Sequence, residues 1–67
     1  VKAKVAECVA EGLSYPQIAV RLGLSRNTVQ HYVHSIAQLI EIRDLYPMTP
    51  YRRVQVWMIR VRAGIDT

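Results

Sequence analysis

Apolar residues recur along this chain in four short stripes at helical spacing, each bounded by residues that start or stop a helix. The first stripe is Val5, Cys8 and Val9, with Leu13 just beyond. It predicts a helix over residues 2–11 that carries Glu7 and Glu11 on its other side and is ended by Gly12. The second lies in "SYPQIAVRLG". Ser14 is placed to cap, Pro16 sits in a first turn where its missing N–H has no partner to lose, and Gln17 completes a capping box. Ile18, Ala19 and Leu22 form its buried side, and Gly23 supplies a left-handed end. A helix of barely two turns is unstable alone, so it must be packed between others.

The third stripe opens at Ser25, a second N-cap. Val29, Val33, Ile36 and Ile40 follow at i, i+4, i+7 and i+11, and the stripe continues to about Arg43. Arg26, Asn27, Gln30, His31 and His34 face the other way, so one side serves a core and the other a partner. After "YPMTP", Thr49 and Pro50 make an N-cap and N1 pair. The segment that follows, "YRRVQVWMIRVRAG", is ambiguous. Its alternation and β-branched content favour a strand. The Thr-Pro start, the Gly64 stop and the stripe Val54, Trp57, Met58, Val61 favour a helix, which is the expectation adopted.

These elements predict an all-α fold, a small helix-turn-helix bundle of four helices in a single domain over residues 1–67. The motif spans 14–40, the linker 44–49 and the last helix 50–63. With 67 residues the chain is near the lower limit for a self-sufficient core. A cleft-type active site does not fit beside that core, so a binding module is expected rather than an enzyme. The chain starts with neither cap nor turn, which reads as a piece of a longer protein.

No apolar run is long enough to span a bilayer, and no stretch has the shape of a signal peptide. Cys8 has no second cysteine to pair with and lies among apolar neighbours, so a reduced, buried role and a cytoplasmic location are expected. The net charge is +4, and its arrangement says more than its sum: Gly12 to Ile40 contains no Asp or Glu, while Arg21 and Arg26 fall within it. Such a surface approaches a polyanion without repulsion. A second basic group follows at Arg52, Arg53, Arg60 and Arg62.

A short helix, a turn containing Gly23 and a second helix opening Ser-x-x-Thr form a helix-turn-helix. The stretch "EGLSYPQIAVRLGLSRNTVQHYVHSI" resembles the C-terminal helix-turn-helix of LuxR/GerE-type regulators over roughly residues 5 to 40, with related wording in region four of sigma factors. Independently of that resemblance, Ala19 is small where two helices cross, Gly23 permits a positive φ, and Val29 closes a core against Ile18 and Leu22.

The resemblance implies sequence-specific binding of double-stranded DNA by a transcription regulator, with a recognition helix over 26–40 in the major groove. Thr28 then takes the position that contacts phosphate, and Gln30, His31 and His34 those that reach into the groove. Ser25, Arg26 and Asn27 begin the helix where backbone N–H groups favour phosphate, and Tyr15 and Arg21 are secondary phosphate contacts. Gln30 has the amide that pairs with adenine N6 and N7. Relatives usually place lysine where this chain has Gln30 and often His34, so weaker, less salt-sensitive binding per monomer is expected.

His31 and His34 are thus expected to be groove-facing polar residues rather than metal ligands, because zinc needs three or four ligands and Cys8 belongs to a different helix. No cofactor and no small-molecule ligand are expected. Protonation of the two histidines near pH 6 should tighten DNA binding. In LuxR/GerE domains the fourth helix makes a dimer interface. Here the linker from Glu41 to Thr49 is longer, but Val56, Ile59 and Ala63 lie on a different side from the core stripe, which suggests a homodimer through that helix. Arg52, Arg53, Arg60 and Arg62 would be left for the DNA backbone or the solvated edge of the interface. Two other functions use the same architecture: the DNA-targeting domain of a transposase, phage terminase or recombinase, and a helix-turn-helix that serves as a protein-protein scaffold. No nucleophile and base pair, no usefully spaced acid pair and no glycine-rich phosphate loop occurs in the sequence.

Overall fold

The computed structural model describes residues 1–64. Its elements are α1 (Lys2–Ala10), α2 (Tyr15–Leu22), α3 (Arg26–Leu39), a single 3₁₀ turn (Arg43–Leu45) and α4 (Pro50–Arg62), with no strand among the described residues. The expected all-α bundle of four helices is what forms, and the last segment is a helix.

Local chemistry sets most of the boundaries. At α2 both halves of the capping box are made: the Ser14 hydroxyl accepts the Gln17 N–H at 3.4 Å, and the Gln17 side chain accepts the Ser14 N–H at 2.9 Å. Gly23 ends α2 at φ 68°, and the Leu24 N–H turns back to the Ala19 carbonyl at 2.9 Å. Ser25 caps α3 and Thr49 caps α4, each accepting the amide three residues on. Pro50 fills the first position of α4, where no N–H is needed.

The core is built from Val5, Ala6, Cys8 and Val9 of α1, Ile18 and Ala19 of α2, Val29, Val33, Ile36 and Ala37 of α3, and Val54 of α4. Helix α4 lies against both α1 and α3, while α2 packs on α3. The first turns of α4 also reach the backbone of the α1 end. The Tyr51 phenol donates to the Leu13 carbonyl at 2.6 Å, and the Gln55 amide donates to the Val9 carbonyl at 3.3 Å. Leu13 lies in the loop after α1, and the Val9 carbonyl, in the last turn of α1, also accepts the Gly12 N–H at 3.0 Å.

Three expectations are corrected. Helix α3 ends at Leu39, not at residue 40, and the apolar stripe does not run on helically to Arg43. Ile40 is extended (φ −87°, ψ 113°) and turns its side chain into the core. Residues 44–49 are not a plain linker: Leu45, in the 3₁₀ turn, is fully buried, and Ile42 and Met48 pack against the core beside it. Val61, placed in the core stripe by spacing, is 51% exposed, because it lies in the last turn of α4.

The arginines of the last helix are likewise not all left for the solvent or a partner. Arg53 donates to the carbonyls of Ala37 (3.4 Å), Leu45 (3.2 Å), Tyr46 (2.8 Å) and Met48 (3.4 Å), and its guanidinium carbon lies 5.5 Å from the centre of the Tyr46 ring. One side chain thereby fixes the irregular 40s segment to the end of α3. Arg60 bonds Asp44 at 3.1 Å, and Arg52 bonds Gln55 at 3.2 Å within α4.

Candidate nucleic-acid interface

Helix α3 divides lengthwise. The 3.6-residue period puts Val29, Val33, Ile36 and Ala37 inside and leaves Asn27, Gln30, His31 and His34 outside. Those last four side chains are exposed and together line one shallow depression on the outer face of the helix. The structure thus places Gln30, His31 and His34, expected to face the groove, beside Asn27, which was expected at the phosphate end of the helix. Among the described residues none of the four makes a side-chain hydrogen bond within the chain, so their donors and acceptors point to solvent.

The start of α3 is a polar corner. The Ser25 hydroxyl accepts the Thr28 N–H at 3.1 Å and shares a 2.7 Å hydrogen bond with the Thr28 hydroxyl. Ser25, Arg26 and Asn27 are exposed and Thr28 is half-buried, and the first turn contains no acid. The positive end of the helix dipole is therefore offset by no carboxylate of its own helix, which suits an anion at that end.

The flanking candidates are more engaged. Arg21, in the last turn of α2, pairs with Glu11 at 3.6 Å, with both side chains about half exposed (54% and 49%). A pair that open to water contributes at most about 1 kcal/mol and gives way readily to a phosphate. Tyr15 does not line the depression on α3. Its ring is half-buried, edge-on to Tyr51 with centres 5.6 Å apart, and burial first, then the neighbouring Tyr51, raises its phenol above the ordinary 10.0.

On α4, Val56 is half-buried against the core, while Ile59 (54% exposed) and Ala63 face outward with Val61. The outward apolar surface of α4 is therefore Ile59, Val61 and Ala63, with Val56 drawn toward the core. Reading the sequence also missed Gln38, which is exposed four residues past His34 and extends the polar strip by a turn. The i, i+4, i+7, i+11 spacing of Asn27, His31, His34 and Gln38 was the available signal. Among the described residues no three His, Cys, Asp or Glu side chains converge as a metal site would require.

Residues 1–39 match the model of the family described as a homeodomain-like domain, which covers α1, α2 and the whole of α3. No curated protein and no solved structure matches the chain. The 3₁₀ turn and α4 lie beyond the matched residues.

Proposed function

The chain belongs to the homeodomain-like helix-turn-helix family, and on that footing we propose that it is a sequence-specific module of a transcription regulator that lays α3 in the major groove of double-stranded DNA. The observation that carries this reading is the single depression on α3 shared by Asn27, Gln30, His31 and His34, next to a capped, acid-free helix start. Gln30, His31 and His34 take the base edges. The backbone N–H groups of Ser25, Arg26 and Asn27 and the side chain of Thr28 meet the phosphates at the start of the helix, and Arg21 and Tyr15 meet them from α2. The module binds and does no chemistry, and the LuxR/GerE-like wording of the motif supports a regulator over a DNA-processing enzyme.

Two copies pair through the outward side of α4, with Ile59 and Ala63 at the centre and Val56 at the edge. A single module of this size buries only about 600–1,000 Å² on DNA, so two modules on half-sites about 34–36 Å apart bind far more tightly than one. The test is selection from a random duplex pool at low and at physiological salt, with the mass of the protein in solution measured alongside. Enrichment of a two-fold symmetric site by a dimer is expected. Retention of no duplex even at low salt would overturn the reading and make the module a protein-docking scaffold.

A further inference from the structure

Resting on the proposed DNA-binding role, we infer that the base pairs under the first two turns of α3 are A·T pairs, with adenines read by Asn27 and Gln30 on neighbouring steps. Two observations carry this. The residues that line the depression on α3 are two carboxamides and two imidazoles, with no arginine, lysine or acid among them. The carboxamides are three residues apart on the exposed side of the helix, both without a side-chain partner in the chain among the described residues.

The chemistry of the groove edge converts that composition into a base preference. Guanine shows two acceptors, O6 and N7, and is read best by the fork of an arginine or by a lysine, neither of which is in the strip. Adenine shows an acceptor at N7 and a donor at N6. A carboxamide matches both at once, giving its N–H to N7 and taking the N6 proton on its oxygen. Cytosine presents only a donor, which calls for a carboxylate, and the span from Gly12 to Ile40 has none.

Spacing then sets the register. Residues three apart on a helix are separated by about 4.5 Å along its axis, close to the roughly 3.4 Å between base pairs, so Asn27 and Gln30 fall on adjacent steps. From Asn27 to His34 the helix advances about 10.5 Å, or about three base-pair steps, which places the imidazoles on the far side of the adenines from the helix start. Arg26 precedes the strip at the exposed N-terminal end of α3, where it meets phosphate and leaves the reading of bases to the amides.

The experiment is selection of duplexes from a random pool by the whole chain and by Gln30→Ala, Asn27→Ala and Gln30→Arg, with the helical circular dichroism of each variant recorded to show that it folds. Adjacent adenines in the enriched half-site are expected. Each alanine variant should lose discrimination at one of the two positions by about 5- to 150-fold, and Gln30→Arg should move the preference at its position from adenine to guanine. Enrichment of a half-site with G·C pairs at these steps, or unchanged preferences in all three variants, overturns the inference while leaving DNA binding intact. Recovery of no duplex by the unaltered chain overturns both.

Discussion

The Tyr51 hydroxyl, in the first turn of α4, lies 2.6 Å from the carbonyl of Leu13, which sits between α1 and α2. This bond ties the last helix to the loop that opens the helix-turn-helix, across 38 residues of chain. Tyr51→Phe keeps the ring packed edge-on to Tyr15 and removes only the donor, leaving a part-buried carbonyl unpaired. A loss of about 1 kcal/mol in unfolding free energy is expected from urea titration, with DNA affinity unchanged at temperatures where the variant is folded.

The same pair of tyrosines predicts a limit at high pH. Burial raises the Tyr51 phenol above 10.0, and burial with the neighbouring Tyr51 raises that of Tyr15. The unfolded chain therefore loses these protons first. Their contribution to stability is complete below about pH 10 and fades as the pH climbs through the raised values. Melting temperature should fall between pH 9.5 and 11, and less steeply in a Tyr15→Phe, Tyr51→Phe variant.

Arg53 gives donors to four carbonyls at the end of α3 and in the segment between α3 and α4, joining the two through one side chain. Arg53→Ala should cost about 2–3 kcal/mol, in the range for hydrogen bonds to a charged group left unmade in a part-buried setting. Lys has the charge but not the planar fork, so Arg53→Lys should recover less than half of the loss. Hydrogen exchange should show the amides of Leu45 and Tyr46 deprotected in both variants. Uniform exchange across the chain, with those amides no faster than the rest, would contradict the local role.

Asp44 titrates below the ordinary carboxylate value of 3.8, first because of the hydrogen bond from Arg60 and then because of its own backbone N–H. A depressed value makes its contribution complete above the unfolded value and lost as the pH falls through the lower, folded one. Asp44→Asn should therefore be slightly less stable than the parent chain at neutral pH and lose stability less steeply below about pH 4, the two curves converging in acid. An identical acid limb would sink this assignment.

The parts of this fold that a reader of the sequence can see are those decided by near neighbours. Ser14 with Gln17, Ser25, Thr49 with Pro50, and Gly23 each set a helix end through atoms three or four residues away, and each end forms where such chemistry places it. The stripe Val29, Val33, Ile36 is legible for the same reason, and so is the polar side of α3 as its complement. Leu45 and Arg53 are not legible. The burial of one and the bonds of the other depend on carbonyls 5 to 16 residues from Arg53 that come together only when α4 folds back on α3. Val61 misleads because spacing predicts a face but not where the neighbouring helix runs out.

The division of α3 into an inward and an outward half has a consequence for how such a module changes over time. The side chains on its outer strip neither fill the interior nor complete a bond within the chain among the described residues, so replacing them leaves the fold almost untouched. A lineage carrying this scaffold can therefore change the face it presents to a partner by point changes at Asn27, Gln30, His31 and His34, with little selection against the intermediates for misfolding.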